Sequence, residues 1–388
     1  YKRELNLSTG IHRVSYTADD VRYIRESFVS APDNVLVVHI RNEEQVASVD
    51  VQIGLDRKEN AGVHVLNDHT LGLSGQIVDE PDSLRGPGGN HMRFATRLRA
   101  IPEGGTIKST DNRLVVKNAS SLTLLLTAAT DYNRNRLDFD RSIDPAGECR
   151  HILSQLQGKS YSELKEVHKQ DHKAMFERVD FRLGNASKSE NMPTDRRLEQ
   201  VKQGQQDPHL VELYFQYGRY LLMGSSRAPG VLPANLQGIW NPHMEAPWNS
   251  DFHTNINIQM NYWPAEVCNL SETVKPYIGF FSQIHDGPGK VTARQMYDAD
   301  GWTMHHLTNP FGRTAVMDGI QWGMFPMAGP WVTFPFWRHF QFTGDTTYLK
   351  NKTWPVMKDA AKFVLDFLVE DDKGWLVTAP SYSPENSF

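Results

Sequence analysis

The sequence predicts a multidomain β-plus-α chain, a sandwich of antiparallel β-sheets followed by an array of α-helical hairpins. Three observations carry this. Residues 1–132 are made of short alternating apolar runs bounded by turn residues, with no helical period between them. From about Arg196 the apolar residues recur at helical spacing, in segments long enough for hairpins. At 388 residues with 39% hydrophobic content, the chain exceeds one ordinary small domain and can bury a sizeable core. The expected organisation is a β-sandwich domain over 1–132 that is incomplete at its start, a linker with a helix over 133–195, and a helical domain over 196–388.

Strands are expected at Ile11–Tyr16, Val21–Val29, Val35–Arg41, Val49–Leu55, Val63–Leu66, Leu71–Val78, Met92–Ala100, Leu114–Val116 and Leu122–Ala128. Turn signals such as Ala31-Pro32-Asp33-Asn34 and Gly86-Pro87-Gly88-Gly89 separate many of them. A carbohydrate-binding module has the same pattern, but without an aromatic platform of its own a structural β-domain is favoured. Ser160-Tyr161-Ser162-Glu163 is a capping box opening a helix that runs to about Arg178. His168 and His172 stand four apart on it, as metal ligands on one helix face do. They sit among Lys165, Lys169 and Lys173 and lack a zincin glutamate, so a solvated charged face is the preferred reading. Asp207-Pro208 supplies a cap and first residue for the apolar helix Leu210–Ser225. Further helices are expected from Ile258–Cys268, Ser271–His285, Met324–Phe342 and Thr347–Glu370.

A net charge of −5 with no long basic run argues against a general nucleic-acid surface. No apolar segment reaches the length of a membrane span. Neither a phosphate-cradling glycine loop nor a dinucleotide fingerprint occurs. Cys149 and Cys268 fit no metal spacing, and free thiols are preferred to a bridge. No cofactor and no metal are expected. Asn-X-Ser/Thr sequons stand at Asn6, Asn118, Asn185, Asn269 and Asn351. Tyr1 falls inside a strand-like pattern without a signal peptide, so the natural start is expected to be absent and the localisation is unreadable.

The chemistry concentrates in Pro233–Glu266, which holds Trp240, Trp248 and Trp263, six asparagines and almost no cationic charge. Rings pack on the C–H faces of sugars, while amides bond hydroxyls or hold a water, so this stretch suits a sugar better than a phosphate or metal. An aromatic core with internally satisfied amides is the competing structural reading.

Asn235-Leu-Gln-Gly-Ile-Trp-Asn241 and Asp251-Phe-His-Thr-Asn-Ile-Asn-Ile-Gln-Met-Asn-Tyr-Trp-Pro-Ala-Glu266 closely resemble the signature of glycoside hydrolase family 95, the inverting α-L-fucosidases. A second match is Thr378-Ala-Pro-Ser-Tyr-Ser-Pro-Glu-Asn-Ser-Phe388, and the opening 38 or so residues resemble the family's N-terminal β-domain. The resemblance implies part of an (α/α)6 barrel after the β-sandwich, with the sugar at its mouth. It implies a chain lacking the C-terminal half of that barrel, inactive by itself, from a secreted or periplasmic protein.

By the same resemblance Glu385 is the general acid, and Asn255 and Asn257 orient the attacking water. An acid working near neutral pH must hold its proton, which burial or a neighbouring carboxylate achieves. Two residues apart in an extended segment, Asn255 and Asn257 would point the same way, with His253 on that face. The base that takes the water's proton is expected beyond Phe388, and neither Asp251 nor Asp318 is assigned to it. His253 bonds a sugar hydroxyl by resemblance. Trp331 is expected against the sugar's apolar side, and His305 or His306 against hydroxyls, although which of the two points inward is unreadable. Trp240 and Trp248 are expected to brace the loops. Thr308-Asn309-Pro310 departs from the family pattern where some members carry an acid, which leaves fine specificity open.

The implied substrate is a fucosylated oligosaccharide or glycan carrying terminal α-L-fucose, α-1,2-linked to galactose. An α-L-galactosidase of the same family and a non-catalytic sugar-binding or scaffold protein remain open. A lyase or phosphorylase on an α/α barrel fits less well, because an asparagine pair suits activated water better than proton abstraction or a phosphate site. The oligomeric state is unreadable.

Overall fold

The computed structural model describes residues 1–43, 48–81, 87–184 and 192–384. Glu385, the sequon at Asn185 and Gly86 of one expected turn lie outside the described residues. The chain forms two units, residues 1–133 with 138–177, and residues 134–137 with 178–388.

The first unit is a β-sandwich backed by helices. Its strands are β1 (Lys2–Asn6), β2 (Ile11–Ala18), β3 (Val21–Ser30), β4 (Val35–Asn42), β5 (Val49–Ile53), β6 (Ala61–Asn67), β7 (Thr70–Asp79), β8 (Gly89–Glu103), β9 (Thr106–Thr110), β10 (Arg113–Ala119) and β11 (Ser121–Thr130), then the short pair β12 (Tyr132–Asn133) and β13 (Asp138–Phe139). One sheet has the order β1-β2-β3-β4-β11-β8-β7-β6 and the other β5-β10-β9, all antiparallel. Strand alternation sends successive residues of β11 to opposite faces. Leu122, Leu124 and Leu126 therefore pack with Val49, Leu71, Leu98, Leu114 and Val116 between the sheets. Leu125 faces the other way, with Ile11, Phe28, Val35 and Val37, and is covered by Leu153 of α1 (Pro145–Gln155) and Leu164 of α2 (Tyr161–Phe176). Of the strands that sequence reading missed, β1 and β9 are edge strands with little or no buried surface and so no apolar alternation to read, and β12 and β13 are too short to show any.

Helix starts follow the capping chemistry. Asp144 accepts from Ala146 N at 3.1 Å ahead of Pro145, a cap that sequence reading passed over. Ser160 and Glu163 close the expected capping box. The expected solvated face of α2 is corrected. His168 and His172 are buried, and their Nε2 atoms engage Thr9 O at 2.9 Å and Leu7 O at 2.7 Å. The His168 ring stacks on Phe28, with centroids 4.6 Å apart. The turn between β1 and β2 offers carbonyls there, so the imidazoles serve as bonded core side chains while the lysines lie at the margin. Cys149 and Cys268 are free and buried.

The second unit is helical. It contains α3 (Thr194–Lys202), α4 (Pro208–Ser225), α5 (Asn257–Val267), α6 (Val274–Ile284), α7 (Lys290–Tyr297), α8 (Ile320–Gly323), α9 (Ala328–Val332), α10 (Phe334–Thr343), α11 (Thr346–Tyr348) and α12 (Trp354–Phe367). Two tiny ladders accompany them, β14 (Phe252–His253) with β15 (Leu307–Thr308), and β16 (Leu368–Glu370) with β17 (Leu376–Thr378). The expected helix Met324–Phe342 splits because Pro326, Pro330 and Pro335 each remove a backbone donor. No helix among the described residues is long and apolar enough to cross a membrane.

The core of this unit is aromatic. Trp302, Tyr277, Phe280, Phe281, Phe336 and Phe363 are all fully buried. The polar tips are satisfied, with Trp302 Nε1 donating to Val356 O at 2.9 Å and Tyr277 Oη to Val332 O at 2.8 Å. Gly301 precedes Trp302 with φ +76°, and a Cβ there would sit 2.1 Å from Asp359 O. Only glycine lets the following segment, Trp302–Thr308, enter the core at this angle.

Candidate functional site

Trp302–Thr308 runs buried through the helical unit. An extended segment in a core must pair its backbone, and it does so with the Asn-rich stretch. Phe252 and His253 form the ladder with Thr308 and Leu307. Thr254 N donates to His306 O at 2.6 Å, and Thr254 Oγ1 donates to His305 O at 2.6 Å. Gln259 Nε2 closes the turn by donating to Thr254 O at 2.6 Å. The paired histidines and the Asn255–Asn257 region are thereby brought together from segments about 50 residues apart. Tyr262 of α5 is buried, and its Oη accepts from Ala234 N at 2.8 Å and meets Ser226 Oγ at 2.5 Å, which ties the start of the Asn-rich stretch to this helix. Burial pushes its phenol well above the ordinary value.

The structure separates the two histidines. His305 is fully buried, its Nδ1 accepting from Phe325 N at 3.0 Å and its Nε2 lying 3.2 Å from Tyr297 Oη. An Nδ1 that accepts puts the proton of the neutral ring on Nε2, which donates to the tyrosine. Both nitrogens are engaged within the scaffold, so His305 is placed to hold the segment and not to meet a hydroxyl. Burial, with His306 beside it, lowers its pKa to about 4. His306 is nearly as buried, with Nε2 3.3 Å from Asp318 Oδ2 and Nδ1 unbonded. Burial lowers its pKa too, partly opposed by Asp318. Burial likewise pushes the Tyr297 phenol up to about 12.

The His305 shift has a consequence for stability. The unfolded ring titrates near 6.5 and the folded one near 4, so the unfolded state binds more protons between these values. The contribution is complete above pH 6.5 and is lost as pH falls through about 4, amounting to roughly 3 kcal/mol. In His305→Gln, the fall in urea midpoint between pH 7 and pH 4.5 is expected to be clearly smaller than in the wild type. An equal fall in both proteins would remove His305 as its source.

Ahead of the ladder, Trp248, Asn249 and Ser250 are all left-handed, with φ of 48°, 55° and 51°. Each costs about 1 kcal/mol or more in a non-glycine residue, so the surrounding packing must hold them. This reversal delivers Asp251, which is 6% exposed, and Leu236 N donates to Asp251 O at 3.0 Å. Asp251 Oδ1 lies 2.9 Å from His253 Nε2, but the N–H is not aimed at the oxygen and no hydrogen bond forms. The His253 and His306 rings meet edge to face at 5.9 Å and 63°. Two imidazole–carboxylate pairs, Asp251–His253 and His306–Asp318, thus stand side by side.

The geometry expected of the asparagines is corrected. Asn255 lies in the turn 254–256, and Asn257 is the first residue of α5, so strand alternation does not relate them to each other or to His253. A different property marks out Asn255. Six buried side-chain atoms of Asn235, Ser250, Asp251, Asn255, Gln259 and His306 have no hydrogen bond, among them Asn255 Oδ1. Buried polar atoms are ordinarily bonded, and orphaned ones concentrate where a ligand or bound water completes them. Five of the six lie in Pro233–Glu266 and the sixth, on His306, lies in the segment paired with it. Apart from Arg219 and His285, no other such atom occurs among the described residues of the helical unit, and this concentration favours the binding reading of the stretch over a satisfied aromatic core.

Trp331, half-buried on α9, meets Phe325 edge-on at 6.1 Å, and through Phe325 N it adjoins His305. Trp240 lies over Gly224 and Gly238, while Trp248 is 67% exposed. Tyr382 Oη donates to Gln321 O, which ties the described part of the second motif, at Tyr382, to α8, the short helix that follows Asp318. Among the described residues no group of three or more His, Cys, Asp or Glu side chains is arranged to hold a metal ion. Sequence reading missed Thr254, Gln259, Tyr262, Tyr297 and Phe325 as parts of the site. Each acts through a backbone atom or buried tip that no spacing signals.

Residues 160–388 match the glycosyl hydrolase family 95 catalytic domain, and residues 1–135 match the glycosyl hydrolase family 65 N-terminal domain. Alpha-L-fucosidase 2 of Arabidopsis thaliana is 35% identical over all of this chain and 48% of its own length. Probable alpha-fucosidase A of Aspergillus niger is 29% identical over all of this chain and 49% of its own length. The chain spans about half the length of these curated relatives. A putative kojibiose phosphorylase from the human microbiome superposes with a TM-score of 0.63 at 13% identity, covering 96% of this chain and 46% of that one. That likeness is one of fold, a β-sandwich followed by helices of an (α/α)6 barrel.

Proposed function

The chain belongs to glycoside hydrolase family 95, and from that premise we propose that it carries part of an inverting site that releases terminal α-L-fucose, α-1,2-linked, from oligosaccharides or glycans. The observation that supports this most is the buried, unbonded amide oxygen of Asn255 in the turn between His253 and α5. An acceptor held in place by the backbone of Thr254 is suited to orient a water's proton and so direct its lone pair at an anomeric carbon.

In this reading Glu385 gives its proton to the leaving glycosidic oxygen, and Asn255 and Asn257 hold the attacking water. An amide does not take a proton at neutral pH, so the water's proton passes to a carboxylate base that is not assigned to any residue of this chain. His253 bonds a sugar hydroxyl, Trp331 lies on the apolar side of the ring, and His306 keeps a nitrogen available where His305 does not. The test is an assay of this chain, and of any longer polypeptide that contains it, against 2′-fucosyllactose and an α-L-galactoside, with the product anomer followed by NMR. Release of β-L-fucose as first product is expected from the longer polypeptide, and little or none from this chain alone. Retention of configuration, or preference for the galactoside, would overturn the corresponding part of the reading.

A further inference from the structure

Asp251 has no part in the scheme above, yet the fold invests in placing it. Three consecutive left-handed residues precede it, Leu236 N holds its carbonyl, and Phe252 after it is buried against Phe280 at 5.0 Å. Its Oδ1 is buried, has no hydrogen bond, and lies 2.9 Å from His253 Nε2. Asp251 is the one ion-pair partner of His253 among the described residues, and the His253 side chain is 16% exposed. A carboxylate only accepts, so the tautomer that faces it favourably has its proton on Nε2. The opposite tautomer would set a nitrogen lone pair against the oxygen. A small rotation of the ring would aim Nε2–H at Oδ1, and such bonds commonly tighten only when ligand is present.

We propose that Asp251 is a positioning residue that fixes His253 with Nε2 protonated, leaving Nδ1 as a hydrogen-bond acceptor for a hydroxyl of the sugar. The identity of that ligand rests on the fucoside reading; the Asp251–His253 coupling does not. An oriented acceptor recognises a hydroxyl by taking its proton in a bond, which the amides beside it, already committed to water, do not do.

The experiment uses the chain labelled with 15N on histidine, with L-fucose as the probe. In the wild type the His253 ring is expected to show a protonated Nε2 and a bare Nδ1, with a visible Nε2–H proton. That proton signal should vanish in Asp251→Ala and return in Asp251→Glu. L-Fucose affinity should fall about ten-fold in Asp251→Ala, and this fall should disappear in a His253→Ala background, because the two residues act as one unit. The isosteric Asp251→Asn, compared by thermal melting, guards against a folding defect. A ring protonated on Nδ1 or on both nitrogens, or an equal loss of affinity with and without His253, would overturn the proposal. If the wild type binds no L-fucose but its Nε2–H signal still depends on Asp251, the positioning stands and the fucoside reading falls.

Discussion

Glu385→Gln is expected to lower turnover of a natural α-1,2-fucoside by roughly 10²–10⁴-fold, with KM little changed. The reasoning rests on the leaving group. A sugar alkoxide is a poor leaving group and needs a proton as the bond breaks, whereas fluoride does not. The loss should therefore be far smaller on α-L-fucosyl fluoride than on 2′-fucosyllactose. Steady-state kinetics on both substrate types, in the polypeptide that carries the activity, make the comparison. Near-normal turnover of the natural fucoside would sink the assignment of Glu385. An equal loss on the fluoride would point to a structural role.

Asn255→Ala is expected to reduce kcat by about 10²-fold or more while L-fucose affinity changes little. Its amide oxygen is buried and unbonded, so it has nothing to hold in the scaffold and its removal should leave the fold intact. Asn257→Ala should act in the same direction. Its position as the first residue of α5 gives it a second way to matter, through the helix start, although no side-chain capping bond forms there. Turnover with single-point binding titrations separates the two effects. If Asn255→Ala weakens binding in proportion to turnover, the residue contacts the sugar and does not orient the water.

Much of the fold was legible along the chain. Eight of the nine expected strands were readable because each has buried residues on one face, and period two follows from that, whereas β6, at the far edge of its sheet, has none. Edge strands β1 and β9 bury too little to carry such a period. The capping box at Ser160–Glu163 and the Asp207–Pro208 start were readable because a cap is local chemistry; Leu210 N donates to Asp207 Oδ1 at 3.1 Å. His168 and His172 were misread because the carbonyls that satisfy them, on Leu7 and Thr9, lie some 160 residues away in sequence.

The sequence by itself determined the order of a β-sandwich before helices, the family motif, and the sugar-suited chemistry of Pro233–Glu266. Composition and local motifs suffice for these, since each depends on neighbours within a few residues. Only the tertiary structure decided which of the paired histidines is locked, because Phe325 and Tyr297 reach His305 from separate segments. The fold also decided that Asn255 sits in a turn and that Asp251 stands against His253. Both follow from the two donations of Thr254 to the His305–His306 backbone, a long-range pairing that leaves no periodic trace in the chain. A buried extended segment must find its hydrogen bonds somewhere, and where it found them set the site.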